Sequence, residues 1–212
     1  MKKYELTDET VWVGSRTLYR VRALCDIPGR GVQKGDTGGF VETEQNLNQF
    51  GAAWVSGAAR VSGDARVSGA AWVSGAARVS GAARVSGAAR VSGDAQVFGD
   101  ARVSGNARVS GAARVFGDAW VSGNARVFGT EILYVTGLPS GIVTMFPTTD
   151  GWTLTIGCWS GTVDELEAMI AGDDWPESRG EEQTLRRPGL EALVALCRAH
   201  IGLVEARKEQ EK

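Results

Sequence analysis

The sequence predicts a mostly β protein, in which a parallel β-helix lies between an N-terminal β cap and a small C-terminal α+β domain. Residues 52–129 consist of thirteen consecutive six-residue repeats, and residues 1–51 are rich in strand patterns and turns. Residues 130–212 combine strand patterns with a helical apolar stripe. The predicted boundaries are therefore 1–51 for the cap and first coil, 52–129 for the β-helix and 130–212 for the last domain.

Each repeat reads x-Ala-Arg-Val-Ser-Gly, with Trp or Gln replacing some Arg and Phe replacing some Ser, while Ala, Val and Gly do not vary. One Gly in every six residues excludes a helix. Alternation places Ala and Val on one side of a short strand and the variable residue on the other. Gly then suits a corner between strands. A strand this short cannot bury its own face, so the repeats must stack into a solenoid.

Val followed four residues later by Ala resembles the transferase-type hexapeptide repeat. The resemblance implies a left-handed triangular parallel β-helix, a hexapeptide-repeat solenoid with three repeats per coil. Side chains eighteen residues apart should then stack. Departures from the consensus recur at this step, as in Trp54 and Trp72, Phe98 and Phe116. We expect such residues to form ladders on neighbouring coils.

The cap should begin with two strands, because "TVWVGSRTLYRVRAL" places a Gly-Ser turn between two alternating segments. Val41 and Leu47 keep phase with the alanine column of the repeat, which predicts an imperfect first coil. Capping is required because an open solenoid end exposes unpaired strands.

The last domain should contain strands at "GIVTMF" and "GWTLTIGC", joined by the turn "PTTDG". Thr162 and Glu165 form a capping box that predicts the start of a helix. A second helix is predicted after Pro188 from an apolar stripe that includes Cys197. Cys158 and Cys197 are interpreted as core residues.

Charge is distributed unevenly, because residues 52–129 hold nine Arg, no Lys and four Asp, whereas residues 130–212 hold seven basic and fourteen acidic residues. The three cysteines are scattered without CxxC spacing, which predicts a reducing compartment. No apolar run reaches membrane-spanning length, and the N-terminus lacks a signal-peptide pattern. We expect a cytoplasmic protein with no membrane partner; nucleic acid is disfavoured by the net charge of −2.

The sequence favours a protein that is not an enzyme. Acyltransferases with hexapeptide repeats need a catalytic histidine, and carbonic anhydrases of similar shape need three zinc-binding histidines. The one histidine, His200, lies in the predicted C-terminal helix, and no GxSxG, P-loop or Cys/His pair occurs. We therefore expect no catalytic residue, no metal and no cofactor. An acyltransferase-like enzyme that uses His200 is a less favoured alternative.

Outward positions should form three rows along the solenoid. The candidate ligand or interface residues are Trp54, Trp72, Arg90, Arg108 and Arg126 in one row, and Arg66, Arg84, Arg102 and Trp120 in another. A further row contains Arg60, Arg78, Gln96 and Arg114. Three roles stay open: solvation of the sheets, an oligomer interface with the acidic domain of a neighbouring chain or between Trp54 and Trp72, and binding of an anionic ligand.

The segments "LYRVRAL", "GDTGGFVETEQNLNQFGAAWVSG" and "TIGCWSGTVDEL" resemble uncharacterised hexapeptide-repeat proteins of bacteriophages and prophages. The resemblance implies a phage accessory protein in the host cytoplasm. We predict a non-enzymatic scaffold that forms a homo-oligomer, a trimer by analogy, and acts through protein contacts. The alternative is a counter-defence factor that sequesters an anionic, nucleotide-like small molecule or occludes a host protein.

Overall fold

The repeat forms a parallel β-solenoid in the computed structural model, which describes residues 2–128, 132–138, 140–157, 159–172 and 181–210, the side chains of 181–183 excepted. The chain divides into two compact units, Met1–Thr130 and Glu131–Lys212. The cap and the repeat therefore share one unit, and the mostly β fold class is confirmed. The left-handed sense remains a prediction.

The elements of the first unit are short, because most strands hold only two residues between glycine corners. They are β1 (Tyr4–Val13), β2 (Arg16–Ala23), β3 (Thr37–Val41), a 3₁₀ turn (Glu44–Asn46), β4 (Trp54–Val55), β5 (Arg60–Val61), β6 (Arg66–Val67), β7 (Trp72–Val73), β8 (Arg78–Val79), β9 (Arg84–Val85), β10 (Arg90–Val91), β11 (Gln96–Val97), β12 (Arg102–Val103), β13 (Arg108–Ser110), β14 (Arg114–Val115), β15 (Trp120–Val121) and β16 (Arg126–Phe128).

Three parallel sheets form the faces of the solenoid. Face 1 contains β3, β5, β8, β11 and β14; face 2 contains β4, β7, β10, β13 and β16; face 3 contains β6, β9, β12 and β15. Within the repeat, paired residues lie eighteen positions apart, as Trp54 with Trp72 and Arg66 with Arg84. The predicted three repeats per coil are confirmed.

The interior of the solenoid contains the alanine and valine columns, whose members between Ala53 and Val127 are at most 1% exposed. The corner glycines have φ between 60° and 74°. At Gly87 a Cβ atom would also lie 2.9 Å from the backbone nitrogen of Gly105. Glycine is therefore required here both by the left-handed backbone and by the close approach of the next coil.

The first coil differs from the predicted phase. Val41 pairs with Val61 and Leu47 pairs with Val67, so both occupy valine positions and not alanine positions. The reason is that eight residues separate Leu47 from Val55, where the repeat has six. The two extra residues lie in the corner that contains Phe50.

The cap continues face 1, because β1, β2 and β3 pair antiparallel in that order and β3 pairs parallel with β5. The predicted Gly-Ser turn joins β1 to β2. The consecutive glycines of "TGGF" allow a tight approach to the coil. A Cβ on Gly38 would lie 2.4 Å from the carbonyl oxygen of Val55, and one on Gly39 would lie 2.6 Å from that of Ala59.

The described residues of the second unit form one antiparallel sheet and two helices. Its elements are β17 (Leu133–Leu138), β18 (Gly141–Thr148), β19 (Gly151–Ile156), β20 (Trp159–Gly161), α1 (Val163–Gly172) and α2 (Glu181–Gln210), with the strands in sequential order. Buried residues of β18 and β19 pack with Leu166 of α1 and with Leu193 and Cys197 of α2. The predicted α+β arrangement is therefore present among the described residues.

Both helix starts can be compared with the prediction. The Thr162 backbone nitrogen donates to Glu165 Oε2 at 2.7 Å, and the Glu165 nitrogen donates to Thr162 Oγ1 at 3.1 Å, which confirms the capping box. The second helix begins at Glu181, so Pro188 lies inside it. Arg187 Nη1 donates to the Ile170 carbonyl at 2.7 Å, so the part of α2 before Pro188 has a tertiary contact of its own. Cys158 lies outside the described residues.

Candidate functional site

The structure differs from the prediction at Trp54, the first residue of the row on face 2. Its side chain is only 1% exposed, because the ring of Tyr4 lies against it edge-on with centroids 6.5 Å apart. The Tyr4 hydroxyl donates to the Leu47 carbonyl at 2.6 Å, which holds the cap over the first coil. Trp54 is therefore a core residue of the first unit, and the suggested contact between subunits through Trp54 and Trp72 is not available to it.

Trp72, the next residue of that row, is half-buried. Its Nε1 donates to Ser56 Oγ at 2.9 Å, and the Arg30 guanidinium lies 5.5 Å from its ring centroid. Burial, and then the charge of Arg90, lower the pKa of Arg30. The accessible part of face 2 therefore begins at Arg90 and continues with Arg108 and Arg126, which are exposed.

The arginine rows contain no ion pair among the described residues. Arg90 pairs with Arg108, and Arg66 with Arg84, on strands about 4.8 Å apart. No ion pair joins Asp64 to Arg66 or Asp100 to Arg102 in the part of the chain that the structure describes, although each pair is only two residues apart. Like charges at this distance repel by about 1 kcal/mol even in water. An anion bound along a row would remove this repulsion.

The row on face 3 continues from Arg66 and Arg84 to Arg102 and Trp120. All four side chains are exposed, Trp120 to 43%. The structure therefore places every candidate residue of this row on the surface of the first unit. The candidates of faces 2 and 3 lie on separate sheets, so the prediction identifies two surfaces and not one site.

Side-chain ladders connect successive coils, as the eighteen-residue step predicts. The rings of Phe98 and Phe116 stack with centroids 5.6 Å apart and an interplanar angle of 17°. Asn106 Nδ2 donates to Asn124 Oδ1 at 3.3 Å. These contacts stabilise neighbouring coils outside the apolar core.

A groove of about 690 Å³ lies over face 3, beside the corner that contains the two extra residues. We call it the Phe50 groove; its lining residues are Glu44, Gln45, Leu47, Asn48, Gln49, Phe50, Arg66, Val67, Ser68, Arg84 and Ser86. Phe50 is 81% exposed. Sequence reasoning did not select Phe50, although the irregular spacing between Leu47 and Val55 marks this corner.

A second groove, of about 410 Å³, lies over face 1 below the tip of the β1–β2 hairpin. We call it the Val13 groove; it is lined by Val13, Arg60, Ser62, Arg78, Val79, Ser80, Gln96, Phe98 and Arg114. This row was recognised in the sequence but was not among the selected candidates. Only the fold shows that Val13 closes one side of it.

Two charged residues of the cap have shifted pKa values. Lys3 is 6% exposed and its Nζ donates to the Ala53 carbonyl at 2.8 Å; burial lowers its pKa to about 8. Glu42 Oε2 accepts a hydrogen bond from the Gly63 nitrogen at 2.7 Å, which lowers the pKa of that carboxyl. Arg16, at the hairpin tip, also binds Glu42 at 2.7 Å. Both contacts connect the cap to the coils.

In the second unit, His200 and Cys197 both contact other parts of the unit. The ring of His200 packs edge-on against Trp152 with centroids 5.8 Å apart. Cys197 is fully buried, and burial raises the pKa of its thiol to about 11, which disfavours the nucleophilic thiolate. Among the described residues no group of three or more His, Cys, Asp or Glu is placed to hold a metal ion. No described helix is both long and apolar enough to cross a membrane.

The helix α2 has two apolar faces. One contributes Leu193 and Cys197 to the core of the second unit. The other carries Leu185, Leu196 and Leu203, which are 79%, 45% and 62% exposed. Their spacings of eleven and seven residues place them on one side of a helix that turns about 100° per residue. Exposed leucines aligned in this way form a surface suited to packing against another helix.

Segments of the chain match a known repeat family. Residues 59–75, 95–111, 101–117 and 107–123 match the YdcK Beta solenoid repeat. No curated protein matches the chain. The matched segments lie within the stacked coils of faces 1 to 3, so geometry and comparison agree: the chain is a repeat protein with a β-solenoid.

Proposed function

We propose that the protein is a non-enzymatic, oligomeric binding scaffold that holds an acidic protein surface against the arginine rows of its solenoid. The observation that carries this proposal is the in-register stacking of exposed arginines, such as Arg90 on Arg108, without ion pairs among the described residues. A rigid row of guanidinium groups fits carboxylates that repeat along a partner surface. The same row contributes orientation and association rate through electrostatic complementarity.

A second copy of the chain supplies one such acidic surface. Residues 130–212 hold fourteen acidic and seven basic residues, whereas the repeat holds nine Arg and four Asp. The leucine-bearing side of α2 offers an additional apolar contact. The uneven charge and the exposed leucines support the proposed homo-oligomer, and the hexapeptide resemblance favours a trimer.

The phage resemblance extends the proposal to a role in infection. The segments that carry it include "GDTGGF" and the corner "NLNQFG", which form some of the contacts that join the cap to the first coils. We propose a phage accessory protein that acts in the host cytoplasm on a host or phage protein.

A second candidate function is capture of an anionic, nucleotide-like small molecule. The observation that favours it is the Phe50 groove, in which an exposed aromatic ring lies near two arginines. A protein-binding face does not require a concave site of this kind, whereas a small ligand does.

Native mass spectrometry of protein purified gently from cells tests both candidates. A complex whose mass is a multiple of the chain, or includes a second protein, supports the scaffold. The matched variants replace Arg90, Arg108 and Arg126, or Arg66, Arg84 and Arg102, by Gln; loss of the complex in one set identifies the face. A strict monomer without a partner contradicts the scaffold, and an added mass of a few hundred daltons, lost on denaturation, supports the second candidate.

A further inference from the structure

We propose that the Phe50 groove binds a ligand that carries a flat aromatic ring and two adjacent negative charges, as a nucleoside diphosphate does. This inference rests on the second candidate function and assigns it a place and a ligand class. Four features of the groove support it: the exposed ring, the anchored corner, the paired arginines and the neutralisation of the one acidic residue in the lining.

The exposed ring of Phe50 is not needed to build the coil. The corners of the repeat pass from Val to the next Val in six residues, whereas this corner uses eight and presents Phe50 at 81% exposure. Leaving a phenylalanine in water forgoes about 1.5–3 kcal/mol of burial. A ring exposed by an inserted segment is therefore better explained by a contact outside the chain than by the fold.

The corner is held in place, so the ring is presented from an anchored backbone. The backbone N–H of Asn48 donates a hydrogen bond to the Val67 carbonyl at 2.9 Å. The side-chain Oδ1 of Asn48 accepts a hydrogen bond from the backbone nitrogen of Phe50 at 2.8 Å. Gln49 Oε1 accepts a hydrogen bond from the backbone nitrogen of Lys3 at 2.8 Å. Anchoring reduces the conformational entropy that a ligand must remove on binding.

The floor of the groove presents two guanidinium groups on successive coils. Arg66 and Arg84 are direct neighbours in the parallel register of β6 and β9, and both are exposed. Neither forms an ion pair among the described residues. Ser68 and Ser86 occupy the next outward position on the same two coils and supply hydroxyl donors. Each coil therefore contributes one cation and one hydroxyl to a pair of adjacent phosphates.

The charge of the groove is positive, because its one acidic lining residue is neutralised. Glu44 Oε1 accepts a hydrogen bond from Lys2 Nζ at 2.8 Å. With the phosphates on the arginines, an attached aromatic base can stack on Phe50, as bases do on exposed phenylalanines in nucleic-acid-binding proteins. The volume of about 690 Å³ is within the usual range for small-molecule sites.

The Val13 groove does not combine these features. It has three arginines, but the ring of Phe98 already stacks on Phe116, and Arg114 Nη2 lies 3.5 Å from Gln96 Oε1. One side of its ring is therefore occupied within the chain. The ring of Phe50 has no stacking partner among the residues that line its groove.

Isothermal titration calorimetry of the full chain tests the inference with three probes: ADP without divalent metal, adenosine and pyrophosphate. The variants are Phe50→Ala and Arg84→Ala, and the matched control is Arg78→Ala, an exposed arginine of face 1 at the same position of its repeat. We expect Phe50→Ala to weaken ADP at least tenfold and to leave pyrophosphate unchanged. Arg84→Ala should weaken both at least tenfold, and Arg78→Ala should change neither.

Several outcomes would overturn the inference, and they differ in what they say of the second candidate. If ADP binds no more tightly than pyrophosphate, or if Phe50→Ala leaves the affinity for ADP unchanged, the role of the ring is rejected. Anion capture by the groove would survive in that case. If Arg78→Ala weakens ADP as much as Arg84→Ala does, binding follows charge and not the groove. If neither ADP nor pyrophosphate binds at millimolar concentration, anion capture at this groove is rejected as well.

Discussion

The ring of Phe98 stacks on that of Phe116 on the next coil, with centroids 5.6 Å apart, at a position where most repeats have serine. The pair therefore offers a measure of how much an outward ladder stabilises the solenoid. Replacing either phenylalanine by the serine of the consensus should lower the free energy of unfolding, and the two effects should be coupled by about 0.5–1.5 kcal/mol. A double-mutant cycle of Phe98→Ser and Phe116→Ser, followed by urea denaturation, measures this coupling; additive effects would mean that the stacking contributes nothing beyond burial.

Two corner glycines allow the cost of backbone conformation to be measured apart from the cost of a collision between coils. Gly87 and Gly123 have nearly the same φ, 64° and 63°, but a Cβ on Gly87 would meet the backbone of Gly105 at 2.9 Å, whereas one on Gly123 would meet no atom of the described residues within 4 Å. Both alanine variants have the left-handed strain, and only Gly87→Ala has the collision. We expect Gly87→Ala to lower the unfolding free energy by about 1–3 kcal/mol more than Gly123→Ala does. Equal losses in chemical denaturation would show that the coils separate easily at this corner.

Lys3 should make stability depend on pH. Its pKa is about 8 in the folded protein, compared with 10.5 for a free lysine side chain. Between these values the unfolded chain binds more protons than the folded chain, so the unfolding free energy rises with pH from about 8 to 10.5. The rise is about 3 kcal/mol at about 1.4 kcal/mol per pKa unit.

The Lys3→Met variant provides the comparison, because other titrating groups such as Cys197 are present in both proteins. We expect the stability of the wild type, measured relative to Lys3→Met by urea denaturation, to increase across this pH range. A constant difference between the two proteins would show that Lys3 stays protonated in the fold.

Self-association should depend on the exposed leucines of α2. A carboxylate at Leu196 or Leu203 would be desolvated in a helix–helix contact, so Leu196→Glu and Leu203→Glu should shift the protein towards the monomer by at least tenfold in the dissociation constant. Thr184→Glu adds the same charge at an exposed position about 100° around the helix from the line of leucines, and it should have little effect. Analytical ultracentrifugation measures all three, with circular dichroism to confirm that each variant folds. Unchanged association in both leucine variants would contradict a role for this side of α2.

The structure of the repeat could be predicted from the sequence because every hexad has the same pattern of inward, outward and corner residues. An inward Val and Ala, an outward residue and a corner Gly define a strand that has to stack, and the resemblance supplied three strands per coil. The rows of face 3 and the accessible end of face 2 followed directly. The YdcK repeat matches residues of this part of the chain.

The contacts between distant segments were not predictable in the same way. Trp54 fits the outward row by its position, but Tyr4 comes from the start of the chain to cover it. The phase of Leu47 was misassigned because a period of six cannot show where two extra residues lie. The helix containing Pro188 begins before the proline, since Arg187 gains a tertiary contact that propensity alone does not include.

Every hexad offers the same inward residues and the same corner, which has a consequence for insertions and deletions in the coding sequence. Loss of eighteen residues would remove one coil and leave each row aligned. Loss of six residues would preserve the core equally well, but it would turn all later coils by a third of a revolution. If one hexad between Arg90 and Arg108 were lost, Arg108 would stack on Arg84 instead of on Arg90. Deletion or insertion of a single hexad in the coding sequence can therefore move surface patterns from one face to another. Each variant along the way would still encode a protein that folds.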